Sequence, residues 1–292
     1  MKLVRKLLHI PKFRNQNCEH LLTEVILKGG FGNQLFQFAT GVSIALEMKT
    51  DIYFHDLPPI TNDATNFFGL RNIGIEPETI YKVSDSLGEL VFEKKATKID
   101  CAGIEFKEKD FSYIPINLEK KHNVLNGYFQ SFKYFERSEN TIRSYLKKFF
   151  KSDAFGTTDD FIIQIRLGDL LSNPEARKIH GIIPIEYLEK IVGIADGRNL
   201  ATKVITDDAF NVKKVFQILD SRKEIPIVSE SAMSDFSTMV NARNLAISNS
   251  TFGWWAGWIG DSQVYAPQNW FADNEKMNFN VNDFFPTGWL IL

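Results

Sequence analysis

Glu24-Val25-Ile26-Leu27-Lys28-Gly29-Gly30-Phe31-Gly32-Asn33-Gln34-Leu35-Phe36 begins as one kind of secondary structure and ends as another. Residues 24–27 form a short β-branched and apolar run that reads as a strand. Glycines at 29, 30 and 32 then let the backbone turn sharply. From Asn33 to Met48, Leu35, Phe36, Ala39, Val42, Ile44 and Leu46 recur at helical spacing over a wide apolar face. Residues 51–55 read as a second strand. Strand, glycine loop, helix, strand is a βαβ opening, the unit from which parallel sheets are built.

Outward from this segment the pattern first weakens and then returns. Residues 57–122 mix Pro58-Pro59, turn signals and short apolar runs without clean periodicity. Residues 124–129 read as a strand. Residues 138–150 read as an amphipathic helix ending in a basic turn (Lys147, Lys148, Lys151) that complements its dipole. A polar stretch at 152–160 is the candidate linker, dividing the chain into units 1–152 and 153–292. The second unit alternates regularly: strands at 161–166, 203–206, 225–228, 245–248 and 264–266, with helices at 184–194, 209–219, 235–242 and 254–259. That is a doubly wound sheet. Two α/β domains facing across a cleft are expected, with ligands beyond the carboxyl ends of the strands.

Composition narrows the function. A chain of 292 residues with 44% hydrophobic residues can bury two cores, and the 25 phenylalanines read mainly as core filler. The net charge of −2 supplies no global field for nucleic acid. Cys18 and Cys101 lack metal-ligand spacing and are expected to be free thiols in a reducing compartment. No apolar run approaches the roughly 18 residues of a membrane span. The basic start (Lys2, Arg5, Lys6, Lys12, Arg14) has too short an apolar core for a signal peptide. It reads as a solvated arm, or as a peripheral contact with anionic lipid at the inner face of the cytoplasmic membrane. A cytoplasmic location is expected.

Each strand end then offers a candidate site. After the first strand, Gly30, Gly32 and Asn33 lie where backbone amides and a helix N-terminus can meet an anion, with Asn33 also able to cap; a plain tight turn is the alternative. After residue 165, Arg166 leaves an otherwise apolar strand, followed by Asp169. A guanidinium fork suits a diphosphate, with Asp169 a candidate donor-binding residue beside it, and an Arg166–Asp169 ion pair is the alternative. Asp207 and Asp208 can accept hydrogen bonds from ribose or guanine, or one of them can serve only as an N-cap. No third ligand accompanies them, so no metal site is expected. Ser250 and Thr251, at a strand-to-helix turn, form another anion cradle, while Trp254 and Trp255 read as packing. His55 and Asp56 are candidate bases on position alone, and both have a structural alternative.

These blocks together resemble the bacterial members of the α-1,2-fucosyltransferase family. GGFGNQLFQFA from Gly29, NGYFQSFKYF from Asn126, IQIRLGD from Ile163, ITDD from Ile205, ISNSTFGWWAGWI from Ile247 and APQNW from Ala266 follow the family's order, and His180-Gly181 suits it. The resemblance implies a GT-B-like fold of two Rossmann-type domains. It further implies GDP-fucose as donor and metal-independent inversion at the anomeric carbon. The acceptor would be the 2-hydroxyl of a galactose-type unit in a surface glycan such as O-antigen, on the side of the N-terminal domain. Arg166 would grip the β-phosphate with Ser250 and Thr251; one acid of Asp207-Asp208 would hold the nucleoside; the loop at Gly32 and Asn33 would meet the donor. Two positions depart: the family histidine is Gln164 here, still able to bond a base or phosphate, and the second family arginine is Leu167. Strand alternation puts Arg166 and Leu167 on opposite faces, which favours little consequence for the donor site. A same-fold transferase of another nucleotide sugar and an inactive sugar-nucleotide-binding subunit of polysaccharide assembly remain alternatives. A nucleotide-dependent oxidoreductase lacks its spaced glycine fingerprint here.

Overall fold

The computed structural model describes residues 21–56, 69–95, 103–119, 121–151, 158–218 and 225–292, without the side chains of residues 158, 169 and 216–218. The basic start, Cys18, Cys101, Pro58-Pro59 and most of the candidate linker lie outside the described residues.

The N-terminal half contains β1 (Leu22–Ile26), α1 (Phe31–Met48), β2 (Asp51–His55), β3 (Ile80–Ser86), β4 (Glu89–Lys94), β5 (Ile104–Lys107), β6 (Asn123–Asn126) and α2 (Glu139–Phe150). Its sheet runs β4-β3-β2-β1-β6-β5. The four strands around β1 are parallel, and β3 and β4 add an antiparallel hairpin at one edge. That hairpin turns at Leu87 and Gly88, both at positive φ (56° and 82°). It falls in the stretch whose periodicity was not legible. Helix α1 crosses over β1 and β2 with its apolar face down. Gly41 permits the close approach: a Cβ there would lie 2.5 Å from a Val25 methyl. The helix starts two residues earlier than the apolar spacing predicts, because Gly30 is the N-cap and Asn33 is already in the first turn.

The C-terminal half contains β7 (Thr158–Ile165), α3 (Gly168–Ser172), α4 (Pro174–His180), α5 (Ile185–Gly197), β8 (Thr202–Thr206), α6 (Ala209–Ile218), α7 (Ala232–Val240), β9 (Ala242–Ala246), α8 (Thr251–Ile259), β10 (Gln263–Ala266), α9 (Val281–Phe284) and β11 (Leu290–Ile291). The sheet is all parallel in the order β11-β10-β9-β7-β8. It has the expected five strands with one exchange. The predicted strand at 225–228 makes only a bridge from Ile227 to Val204, and β11 takes the fifth place. Pro226 accepts from the Val204 N–H through its carbonyl but has no N–H to continue a ladder.

One hydrophobic cluster joins the two halves. It includes Val25, Phe36 and Phe38 from the first and Trp254, Trp255, Trp258 and Met239 from the second. Phe36 meets Trp254 and Trp255 at ring-centroid distances of 4.6 and 5.1 Å, and Phe135 stacks on Trp255 at 5.4 Å. All three tryptophans are buried, the packing role expected of Trp254 and Trp255. A second, smaller cluster around Ile163, Ile165 and Tyr187 covers the other face of the C-terminal sheet. The architecture is thus mixed α/β with two parallel-rich sheets, the GT-B-like class, held by a shared apolar seam between the halves.

Candidate functional site

In the C-terminal sheet the chain runs from β7 outward to β8, then returns past β7 to β9. The topological switch point lies between β7 and β9, where a doubly wound sheet opens a crevice beyond its strand ends. A cavity of about 580 Å³ lies there. It is lined from the C-terminal half by Gln164, Arg166, Asp207, Ser250 and Thr251, and from the N-terminal half by Gly30, Gly32 and Asn33. A larger groove of about 1060 Å³ sits at the amino ends of these strands, around Asp159, Ala242 and Gln263, among charges of both signs. Strand polarity favours the smaller one as the site, because helix N-termini converge on it.

Two helices begin at this cavity. Helix α1 starts from Gly30, which has no side chain to cap it, and α8 starts from Ser250, whose hydroxyl makes no capping hydrogen bond. Their first turns touch: a Cβ on Gly32 would lie 2.4 Å from the Thr251 carbonyl carbon and 2.6 Å from the Phe252 nitrogen. Both helix dipoles therefore direct their positive ends into one space, with first-turn N–H groups facing it. Arg166 follows β7 at the same place, half-buried, its backbone N–H donating to Ser248 Oγ at 3.2 Å. One cation and two helix N-termini, groups able to meet an anion, thus share this cavity with the carboxylates of Asp207, Glu230 and Asp235.

The remaining predicted residues divide by side-chain direction. Gln164 is buried, and its Oε1 accepts from the Ser248 N–H (3.1 Å) and Ser248 Oγ (2.8 Å), so it clamps β7 to the turn after β9. Leu167 is 2% exposed and belongs to the apolar cluster with Ile163 and Tyr187, on the face away from Arg166. Asp207 reaches into the cavity lining and accepts the Leu167 N–H at 2.8 Å. Asp208 instead caps α6, accepting from Asn211 N–H at 3.0 Å and Asn211 Nδ2 at 2.7 Å, and it does not line the cavity. Hydrogen bonds from Asn211 hold its carboxyl below the usual range. Asn33 does not cap α1; its Oδ1 accepts from Gln130 Nε2 at 2.9 Å. The side chain of Asp169 lies outside the described residues.

His55 and Asp56 stand apart from this cavity. His55 bridges two carboxylates, with Nε2 3.0 Å from Glu24 Oε1 and Nδ1 3.1 Å from Glu78 Oε1. The Glu24 hydrogen bond, against burial, lifts its pKa to about 9, so it is an imidazolium at neutral pH and no base. Burial works to raise Glu24, but hydrogen bonds from His122 and His55 outweigh it and bring the carboxyl down to about 2. Asp56 pairs with Arg71 at 3.2 Å.

Sequence reasoning missed the segment after residue 228. Ser229, Glu230, Ser231 and Asp235 line the same cavity. Ser231 caps α7 by accepting the Ser234 N–H, and Asp235, raised above the ordinary carboxyl range by burial, accepts the Glu230 N–H at 2.9 Å. The serine three residues before Ser234 was a legible cap signal and would have started this helix at the cavity.

Among the described residues, no helix is long and apolar enough to cross a membrane, and no cluster of three or more His, Cys, Asp or Glu could hold a metal.

The chain is 27% identical over 292 residues to an alpha-1,2-colitosyltransferase of Escherichia coli, covering 90% of this chain and 96% of that protein. It is 25% identical over 305 residues to the O-antigen biosynthesis glycosyltransferase WbnK of the same organism, covering 88% and 98%. The crystal structure of fucosyltransferase NodZ from Bradyrhizobium superposes with a TM-score of 0.43 at 10% identity, over 82% of this chain and 92% of that one. The sequence profile of Glycosyl transferase family 11 matches residues 5–292. With that match running over almost its whole length, the chain belongs to glycosyl transferase family 11 and is a glycosyltransferase.

Proposed function

We propose that this glycosyltransferase moves fucose from GDP-fucose to the 2-hydroxyl of a galactose-type unit in a surface glycan, with inversion and without a metal. The observation that carries the reading is the convergence of α1, α8 and Arg166 on one cavity at the switch point. Such a site suits a leaving diphosphate. The acceptor oxygen attacks the anomeric carbon, the bond from that carbon to the β-phosphate oxygen breaks, and its electron pair leaves with GDP. Negative charge on the β-phosphate grows as the bond lengthens. Fixed N–H groups and a guanidinium stabilise that charge more in the transition state than in the ground state, which is what lowers a barrier. With Asp208 committed to α6, Asp207 is the acid of the pair that would accept from the nucleoside. Asp235 and Ser229 extend the polar wall of the same cavity.

A second donor has specific support: the relative in Escherichia coli named as a colitosyltransferase makes a GDP-activated colitose the other reading. The test is incubation with a panel of GDP- and UDP-sugars and β-galactosides, with and without EDTA, followed by linkage and anomeric analysis. Transfer from GDP-fucose to O2 with inversion, undiminished by EDTA, is expected. Preference for GDP-colitose selects the second donor. Stabilisation by GDP with no transfer from any sugar would leave a non-catalytic binding subunit, and no response to GDP would end the reading altogether.

A further inference from the structure

The switch-point rule applies to the N-terminal sheet as well. There β1 is flanked by β2 on one side and β6 on the other, so a crevice opens beyond β1 and β6. Lys28 follows β1, residues 127–130 follow β6, and Glu108 follows β5, which pairs with β6. Glu108 Oε2 accepts the Tyr128 N–H at 2.6 Å, and the Phe129 N–H reaches its two oxygens at 3.1 and 3.0 Å. These bonds hold Phe129 at φ 52° and leave room only for glycine at 127, where a Cβ would lie 2.5 Å from the Glu108 Cβ. Lys28 Nζ donates to Asn126 Oδ1, sits 5.9 Å from the centre of the Tyr128 ring, and attracts Glu108 electrostatically.

This group does not itself line the cavity of Arg166 but is tied to it at two points. Lys28 immediately precedes the glycine loop, and Gln130 is bonded to Asn33, which lines that cavity. Lys28, Glu108 and Tyr128 are all half-buried and reachable from solvent. Tyr128 stacks on Phe111 (6.1 Å, 17°), Phe111 meets Phe271 (4.7 Å), and Phe271 stacks on His180 (5.7 Å). The row runs from one half of the molecule into the other; Phe271 is buried in the core, and the half-buried Tyr128 and Phe111 are the rings on which the apolar face of a sugar can lie. Burial raises the Glu108 carboxyl, outweighing the pull of the Phe129 and Tyr128 amides and of Lys28, and Asp110 adds to the rise. A carboxylate with fixed direction and increased proton affinity has what a general base requires. Among the other described groups His55 is already protonated, Asp56 holds Arg71 and Asp208 caps a helix, whereas Asp207 and Asp235 line the cavity and, like Glu108, accept a backbone amide, which makes them the rivals to Glu108.

We propose that Glu108 is the general base of the transfer, taking the proton of the acceptor hydroxyl while the acceptor sugar lies against Tyr128 beside Lys28. The proposal rests on the glycosyl-transfer reading above. As the acceptor oxygen bonds to the anomeric carbon, its proton passes to a Glu108 oxygen, and the electron pair of the breaking bond leaves with the nucleoside diphosphate. The charged and titratable groups around Glu108 are Lys28 from the end of β1, Glu105 and Lys107 from β5, Asp110 beyond it, and Tyr134 after β6.

The test compares Glu108→Gln, Asp235→Asn and Tyr128→Leu with the wild type, measuring GDP-induced thermal stabilisation, transfer to lactose and the pH dependence of kcat. Glutamine keeps an oxygen to accept the Tyr128 and Phe129 amides, so folding and GDP stabilisation should match the wild type. Transfer should fall about 10²–10⁴-fold, and the acid limb of the wild-type pH profile should disappear. Tyr128→Leu should raise the lactose KM about tenfold while leaving the GDP-sugar KM unchanged. Wild-type turnover by Glu108→Gln would overturn the proposal, as would loss of the acid limb in Asp235→Asn instead. Should Glu108→Gln fail to fold, the wild-type profile decides: a kcat flat from pH 4.5 to 8 overturns it too. A wild-type protein that neither responds to GDP nor transfers sugar would refute the parent reading rather than this one.

Discussion

Replacing Gly32 with alanine tests whether α1 and α8 meet at the cavity. The added Cβ would lie 2.4 Å from the Thr251 carbonyl carbon and 2.6 Å from both the Phe252 nitrogen and the Thr251 oxygen. All three are backbone atoms, so no rotamer change can relieve the clash. Reaching an ordinary contact of 3.4 Å requires the two helix N-termini to separate by about 1 Å. Overpacking of this kind costs about 1–3 kcal/mol, which at about 2–4 °C per kcal/mol lowers Tm by about 2–12 °C. The functional effect should be larger. A 1 Å displacement of groups that stabilise the leaving phosphate costs about 10²-fold in rate. Gly30→Ala is the control. A Cβ there meets nothing within 4 Å and its φ of −75° suits any residue, so only the poorer N-cap preference of alanine, about 0.5–1 kcal/mol, should act, lowering Tm by about 1–4 °C. Thermal melts with and without GDP, together with steady-state transfer from GDP-fucose, read out both variants. Wild-type Tm and wild-type kcat in Gly32→Ala would show that the helices are not in contact there, and the two-helix anion site would be lost.

Other substitutions separate roles that lie side by side. Arg166→Ala should fold normally and lose about 10²–10³ in kcat, and Arg166→Lys should recover little, because a point charge does not replace a fork; near-normal turnover in either removes Arg166 from the phosphate. Leu167→Arg should not improve donor affinity. It would place a guanidinium in the apolar cluster around Ile163 and should lower stability by several kcal/mol, a result that an unchanged Tm or a tighter GDP complex would contradict. His55→Gln probes the Glu24–His55–Glu78 bridge. The folded pKa of about 9 lies above the ordinary 6.5, so this stabilisation is complete below about pH 6.5 and fades as pH rises through 9. At full strength it would amount to roughly 3 kcal/mol; with 39% of the side chain exposed, screening reduces it to about 1–2 kcal/mol. Urea melts should therefore show the variant destabilised at pH 6 and nearly equal to the wild type at pH 10, and a pH-independent difference would refute the assignment.

The linear order of residues determined the βαβ opening, the alternation of the second half, and the strand ends at which candidate side chains gather. These features are carried by spacing within a dozen residues, where apolar periodicity, glycine and capping signals act locally. Arg166 was legible for that reason: a guanidinium leaving an apolar strand is costly unless something receives it. Tertiary structure alone decided the direction of each side chain and its partner. Asp207 and Asp208 are the same residue type at adjacent positions, yet one ties β7 to β8 at the cavity and the other caps α6, because neighbouring residues at a strand end face different elements. Leu167 went to the core, and His55 was charged by Glu24 from β1 and Glu78 from the turn before β3. The contact at Gly32 and the latch from Glu108 to residues 128 and 129 were invisible in the sequence. Each pairs segments about twenty to two hundred residues apart, and no local pattern encodes which backbones will touch when two sheets share one apolar seam.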